Sequence, residues 1–316
     1  MRAVYASAIN ADDPLAGLTV GERPEPEPPA DDWTVIQVTA STLNHHDLWS
    51  LRGVGLPADR LPMILGCDAV GVDETGAEVV VYPVLPDRDD PRGYSLLSER
   101  YQGTFAERVT VPRKNLIPKP ANVSRLDAAC LPTAWLTAYH MLVSRGRVHD
   151  VEAVLVQGAG GGVATAAVVL AVHLGKRVYV TSRDPRKRER AAALGATALE
   201  PGARLPERVG LVIETVGVPT FDHSLKCAAP GGRIVVSGST AGHLATVDLR
   251  RVFAMQLEIL GSSMGTSAEL AALLELLDRG LQPIIDEVFA FSDAWRAFEK
   301  LASGNVFGKV VLDHTR

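Results

Sequence analysis

The densest chemical signal in the chain is Gln157-Gly158-Ala159-Gly160-Gly161-Gly162-Val163-Ala164. An apolar stretch, Ala153 to Gln157, leads into it and reads as a strand; Val163 to Leu174 leads out and reads as a helix. A glycine-rich strand-to-helix turn is the setting a dinucleotide requires. Glycines let the backbone approach a pyrophosphate closely, and the helix N-terminus offers free N–H groups and the positive end of its dipole. Ala159, Gly161 and Ala164 occupy the three fingerprint positions, and alanine at the third keeps helix and strand close. Gly158, Gly160, Gly161, Gly162 and Val163 are therefore the candidate phosphate contacts. A tight turn with no ligand could use the same glycines, but the surrounding strand–helix–strand unit favours the binding site.

The next strand, Arg177 to Thr181, runs into Ser182-Arg183-Asp184. An NAD site carries an Asp or Glu here, about 20 residues beyond the glycines, on the ribose 2′-hydroxyl. Ser182 takes that place, Arg183 follows it, and Arg186, Lys187 and Arg188 lie in the next turn. A small residue beside a guanidinium suits a 2′-phosphate, which Arg can grip bidentately. Ser182, Arg183 and Lys187 are thus candidate contacts, with NADPH as the expected cofactor and NADH the less favoured one. The alternatives are a solvated cationic helix face, or a shifted loop in which Asp184 takes the ribose. Ser237-Gly238-Ser239 ends another strand, and the carboxyl ends of parallel strands line a cofactor crevice.

These residues need a scaffold. From residue 151 onward, strands at Ala153–Gln157, Arg177–Thr181, Val209–Glu214 and Arg233–Ser237 alternate with helices at Val163–Leu174, Arg186–Leu194 and Phe221–Ala228. Ile259–Gly261 adds a strand and Ser267–Arg279 a helix. This alternation implies an α/β fold with a Rossmann-type, doubly wound parallel sheet. The earlier part is β-rich, with strands at Val35–Thr39 and Val79–Val84, a polar loop from Pro86 to Arg100, and an apolar helix from Leu126 to Val143. The tail adds a helix, Ala294–Ala302, and a strand, Lys309–Leu312, expected to pair with the N-terminal strands.

The chain has 316 residues, enough for two domains. A net charge of -5 argues against nucleic acid as a partner, and no apolar run is long enough to span a bilayer. No secretion signal is visible at the N-terminus. Cys67, Cys130 and Cys227 lie far apart with no metal or redox spacing, as expected of reduced thiols in a cytoplasmic enzyme.

The chain resembles the medium-chain dehydrogenase/reductase superfamily in its zinc-free, quinone-oxidoreductase-like (zeta-crystallin-like) branch. The likeness is carried by Leu43-Asn44-His45-His46-Asp47-Leu48-Trp49, Leu65-Gly66-Cys67-Asp68-Ala69-Val70-Gly71, Gly103-Thr104-Phe105-Ala106-Glu107 and Leu136-Thr137-Ala138-Tyr139. It continues through the glycine turn, Glu214-Thr215-Val216-Gly217, Ala229-Pro230-Gly231-Gly232-Arg233 and Phe307-Gly308-Lys309-Val310-Val311-Leu312. The resemblance implies a GroES-like catalytic domain, residues 1–122 completed by 285–316, and a Rossmann domain over 123–284. It also implies an active site in the cleft between them and a homodimer through the Rossmann domain.

Zinc-dependent relatives carry a Cys where this chain has Asn44, a His where it has Cys67, and a late Cys or Asp near Thr133. Catalytic zinc needs three good protein ligands, and the segment 86–100 lacks the four cysteines of a structural zinc lobe, so no metal is expected. His45 and His46, taken as strand neighbours facing opposite ways, read as surface or packing residues. The resemblance places Asn44 at the substrate end of the cleft, where its amide could steady an enolate oxygen or merely order its own loop. Asp47 and Tyr139 are the other catalytic candidates, each with a structural alternative. Trp49, Thr137, Thr215, Val216 and Lys309 are implied cofactor contacts. The expected reaction is NADPH-dependent reduction of an activated C=C bond in a quinone, enone or enoyl compound, a small-molecule substrate. Carbonyl reduction, or a cofactor-binding sensor without turnover, are the alternatives.

Overall fold

The computed structural model describes residues 1–316, and its contacts divide them into two compact units: Met1–Thr133 with Leu270–Arg316, and Ala134–Glu269. In the first unit, β1 (Arg2–Ala6) pairs antiparallel with β2 (Leu18–Glu22) and with β4 (Met63–Ile64). The spine is β3 (Trp33–Thr42), bonded antiparallel to β5 (Asp68–Val72) and β9 (Arg108–Pro112). Its residues Thr34, Ile36, Val38 and Ala40 alternate into the core, while Ser41 and Thr42 are both buried where the strand ends. β6 (Glu78–Val81) and β10 (Leu116–Pro118) complete that edge.

Three local features differ from the sequence expectation. His45 and His46 do not lie on a strand: they open α1 (His45–Leu51), where Asp47 at the third position accepts the Asn44 N–H and so braces the helix start. The stretch expected as a loop from Pro86 to Arg100 is a hairpin of β7 (Val84–Pro86) and β8 (Tyr94–Leu96). Its charges are internal ion pairs, Arg92 with Asp90 and Glu99, and Arg100 with Asp87 and Asp89. The single helix expected over Leu126–Val143 is interrupted. It begins as α2 (Arg125–Ala129), passes through a π-helical turn at Leu131–Trp135, resumes as α3 (Leu136–Tyr139) and ends in a second π-helical turn, His140–Arg145. Pro132 lacks the N–H that a regular ladder needs there. α2 packs on β3 and β5, and Arg125 bonds Asp313, which ties residues 123–133 to the first unit rather than the second.

The second unit is a six-stranded, all-parallel sheet in the order β13-β12-β11-β14-β15-β16. Its elements are β11 (Ala153–Val156), α4 (Gly162–His173), β12 (Arg177–Thr181), α5 (Pro185–Ala193), β13 (Thr197–Leu199) and β14 (Val209–Glu214). There follow α6 (Val218–Cys227), β15 (Ala228–Val236), α7 (Leu249–Ala254) and β16 (Glu258–Gly261). Strand order reverses between β11 and β14, and ligands bind at the carboxyl ends beside such a switch point. The glycine turn leaves β11 there. α8 (Ser267–Asp278) crosses the division between the units; its far end accepts a hydrogen bond from Asn122, which draws residues 270–284 to the first unit.

The chain then adds β17 (Ile285–Ala290), α9 (Ala294–Ala302) and β18 (Lys309–Asp313). β18 pairs parallel with β17 and antiparallel with β3, setting Val311 opposite Thr42 and Leu312 opposite Ser41. α9 buries Ala294, Ala297, Phe298 and Leu301, one helical face, and Phe298 meets Phe105 edge-on with ring centroids 5.9 Å apart. No helix is long and apolar enough to cross a membrane.

Candidate active site and cofactor cradle

In the second unit the glycine turn has backbone angles only glycine adopts easily: φ is +79° at Gly158 and +109° at Gly160. A Cβ on Gly158 would come within 2.8 Å of Val216 Cγ2, whereas one on Gly161 would meet nothing within 4 Å. Gly161 precedes α4, a twelve-residue helix whose first turn, from Gly162 and Val163, carries N–H groups without helical partners. Free N–H groups at such a turn are of the kind that can cradle a phosphate. Ser237 N bonds Glu214 O, and Gly238 lies against Thr215, so the β14 and β15 ends meet beside it; Ser239 is exposed.

The ribose loop follows β12. Ser182 is buried, and its Oγ accepts the Asp184 N–H at 3.2 Å. Asp184 caps α5 by accepting from Arg186 N at 2.8 Å. Arg183 is exposed, while Arg188 is turned under the loop onto Ser182 O and Arg183 O. Lys187 is half-buried on α5. Thr137 is buried on α3 with Oγ1 3.9 Å from Met264 Sδ, and Tyr139 is half-buried on the same helix.

The first unit holds a buried polar cluster where β3 ends and β5 and β18 begin. Lys309, 2% exposed, donates from Nζ to Leu43 O (2.9 Å), Asn44 Oδ1 (2.6 Å) and Asp68 Oδ2 (3.1 Å). Asp68 Oδ2 also accepts from Thr42 Oγ1 (2.5 Å) and Asn44 Nδ2 (2.8 Å). The other Asp68 oxygen is buried without a partner. Lys309 therefore spends all three of its donors inside this cluster rather than on a phosphate turn. Asp47 is likewise committed: its carboxylate accepts from Asn44 N (2.7 Å) and Gly66 N (3.1 Å). Burial pushes its pKa up to about 6, against the pull of His46. The structure gives Asp47 to the backbone, bracing α1 against the Gly66 turn. Trp49 is half-buried on α1, with the Arg52 guanidinium 5.4 Å from its ring centre.

Beside the cluster, His46 bridges Cys67 and Glu99. Its Nδ1 lies 3.6 Å from Cys67 Sγ and its Nε2 3.2 Å from Glu99 Oε1. Burial disfavours a charged His46, but Cys67 and Glu99 outweigh it and hold the imidazole well above its ordinary pKa. Burial pushes the Cys67 thiol up, and it donates to Leu97 O at 3.2 Å. These donors do not suit zinc. Cys67 is turned to His46 and Leu97, and the Asn44 and Asp68 oxygens already hold an ammonium that would repel a divalent ion. No group of three His, Cys, Asp or Glu side chains could hold a metal ion. Thr42 and Glu99 were not picked out from the sequence. The only signal was a polar residue ending a buried strand and an acid among neighbouring charges.

A β-rich unit completed by the chain's tail, followed by a doubly wound sheet with a glycine-rich strand-to-helix turn, is the two-unit design of a dehydrogenase/reductase class of enzymes. Family models match accordingly, "Alcohol dehydrogenase GroES-like domain" over residues 30–121 and "Zinc-binding dehydrogenase" over 162–279. Among curated proteins, an acryloyl-coenzyme A reductase of Metallosphaera sedula is 30% identical, covering 94% of this chain and 96% of its own. One from Sulfurisphaera tokodaii is 29% identical over 96% of this chain and 99% of its own. A solved NAD-dependent alcohol dehydrogenase superposes with a TM-score of 0.89 at 34% identity, covering 99% of each chain. A cobalt- and zinc-bound thermostable alcohol dehydrogenase from Pyrobaculum aerophilum gives 0.86 at 29%, again over 99% of each. The chain belongs to the medium-chain dehydrogenase/reductase superfamily and is an oxidoreductase.

Proposed function

We propose that this protein reduces activated C=C bonds in an enone, quinone or enoyl thioester with NADPH and without zinc. The observation that carries the reading is the Lys309–Asn44–Asp68 cluster, which puts a lysine ammonium on the Asn44 oxygen, at the position where zinc-dependent relatives carry a Cys. The acryloyl-coenzyme A reductase relatives support the substrate class. Bound NADPH supplies a hydride to the β-carbon. The chain's part is to hold the pyrophosphate at Gly158–Val163, to receive the 2′-phosphate between Ser182 and Arg183, and to steady the enolate. For the last task Asn44 is suited. Its Oδ1 is polarised by Lys309, one Nδ2 proton is held by Asp68, and the other has only a long 3.5 Å contact with Thr42 O. A charge-assisted bond to Oδ1 makes that remaining N–H a stronger donor. Water then returns a proton to the α-carbon.

NADPH oxidation followed at 340 nm with acryloyl-CoA, a cyclic enone, a quinone and simple aldehydes tests this, with products identified by mass spectrometry. From protein free of zinc, the saturated thioester and ketone are expected from acryloyl-CoA and the enone, and the hydroquinone from the quinone, with the aldehydes left unreduced. Alcohol products, or activity lost on chelation and restored by zinc, would show the carbonyl-reducing alternative instead. Absence of turnover with tight NADPH binding would mark a sensor.

The assembly we propose is a homodimer through the second unit. β16 is the sheet's edge and bonds only β15. Ile259 on this strand (40% exposed), and Leu249 (72%) and Phe253 (71%) on the preceding helix α7, put apolar side chains in water, and an unpaired edge with such residues on its own strand and on the element before it suits a second copy of the same strand.

A further inference from the structure

The carboxyl ends of β11, β14 and β12 each carry a buried polar residue: Gln157, Glu214 and Thr181, at 0%, 0% and 1% exposure. In a parallel sheet covered on both faces such groups need partners, and here they find one another. Gly158 N donates to Thr181 Oγ1 at 3.2 Å, and Thr181 Oγ1 donates to Gln157 Oε1 at 2.7 Å. Gln157 Nε2 contacts Ser224 Oγ at 3.0 Å and His223 Nδ1 at 2.9 Å. Ser224 Oγ donates to Glu214 Oε2 at 2.6 Å. His223 Nε2 lies 2.8 Å from Ala203 O, a carbonyl that can only accept, so the ring proton sits on Nε2 and Nδ1 accepts from Gln157. That fixes the Gln157 amide with its oxygen toward Thr181, and every bond in the chain has one direction.

Glu214 ends the chain with no cationic partner. Its carboxylate accepts from Val216 N (2.9 Å), Gly217 N (3.0 Å) and Thr220 Oγ1 (2.9 Å) as well as from Ser224. The turn so held carries Val216, whose Cγ2 lies so near Gly158 that no Cβ would fit there. Gly158 is therefore fixed twice, through its N–H by Thr181 and through its α-carbon face by Val216. Thr181 also immediately precedes Ser182 and Arg183.

We infer that this buried chain sets the glycine turn and the ribose loop as one preorganised cradle, with Thr181 and Gln157 as positioning residues for the dinucleotide. Without the Thr181 hydroxyl, Gly158 N–H has no acceptor, and the turn must rotate to find one in water. The phosphate-facing N–H groups beyond it move with the turn. The inference rests on the reading of the second unit as a nicotinamide dinucleotide holder.

The test is NADPH titration by nucleotide fluorescence on the intact protein, with steady-state kinetics alongside. Thr181→Val, equal in shape but without the hydroxyl, should raise the NADPH Kd about tenfold, the loss of roughly one hydrogen bond. KM for NADPH should rise in step while kcat stays within about twofold, because the reacting groups are untouched. Thr181→Ser should restore wild-type binding. His223→Ala, which removes one of the two partners of Gln157 Nε2 and leaves Ser224 as the other, should raise the Kd less than Thr181→Val does. If Thr181→Val does not fold, Gln157→Met carries the same expectation on Kd. Wild-type affinity in a folded Thr181→Val or Gln157→Met protein, or equal losses in Thr181→Ser and Thr181→Val, would overturn the inference. A wild-type protein that binds neither NADPH nor NADH would instead sink the cofactor reading on which it rests.

Discussion

The Lys309 ammonium is the sole cation on the Asp68 carboxylate, and both are within 2% of full burial. Removing one partner of such a pair strands the other charge in the core, at a cost of roughly 3–5 kcal/mol. Lys309→Met is therefore expected to lose about that much stability in urea unfolding, and Lys309→Met with Asp68→Leu should recover much of it. A loss near zero in the single variant would remove the Lys309–Asp68 pair from the protein's stability. Asn44→Ala should lower kcat with little effect on NADPH affinity, since the side chain lies in the other unit from the phosphate cradle. At the ribose loop, Arg183 is exposed and free to meet a 2′-phosphate, and Asp184 is engaged as the α5 cap. NADPH should bind about 10-fold or more tightly than NADH; Arg183→Ala should erase most of that difference, and Ser182→Asp should reverse it. Equal affinities in the wild type would put Asp184 on the ribose after all.

The β7–β8 hairpin and α1 meet at Glu99, which accepts from Leu96 N and Arg92 and bonds His46. Burial opposes its ionisation, but the His46 and Arg92 bonds prevail and hold its carboxyl down at about 2. An unfolded Glu99 binds its proton near the ordinary value, so between that value and about 2 the unfolded state holds more protons. The stabilisation is complete above the ordinary carboxylate value and is lost progressively as pH falls from there to about 2. Melting temperature measured from pH 6 to pH 3 should consequently drop less steeply in Glu99→Gln than in the wild type; parallel curves would remove Glu99 from the hairpin's stability. Neither element was legible in the sequence, for different reasons. α1 has seven residues, two of them histidines, and its register is set by the Asp47 cap rather than by an apolar period. The hairpin reads as a charged loop because its charges satisfy each other, which a residue string does not display. By contrast α9 repeats its apolar residues at helical spacing, and its bounds follow from that pattern alone.

The parallel sheet was readable in the sequence because its strands are apolar on both faces and are punctuated by glycine and proline. The Lys309 cluster was not, since it joins residues 265 positions apart whose meeting depends on β18 lying beside β3. α7 escaped notice for a related reason. Its apolar residues Leu249 and Phe253 face water in the single chain, so they form no inward stripe. Such exposure is what a second copy of the chain would cover. Two copies meeting antiparallel at β16 would extend the six-stranded sheet to twice its width and cover Ile259, Phe253 and Leu249 together. Burying three such side chains contributes roughly 1.5–3 kcal/mol each before association entropy is counted. Light scattering should therefore give a mass near twice 33.7 kDa. Phe253→Glu with Ile259→Lys should shift the protein to monomers while NADPH binding persists, because neither side chain touches the glycine turn. A monomeric wild type at micromolar concentration would remove the interface, and a dimer that survives both substitutions would place it elsewhere.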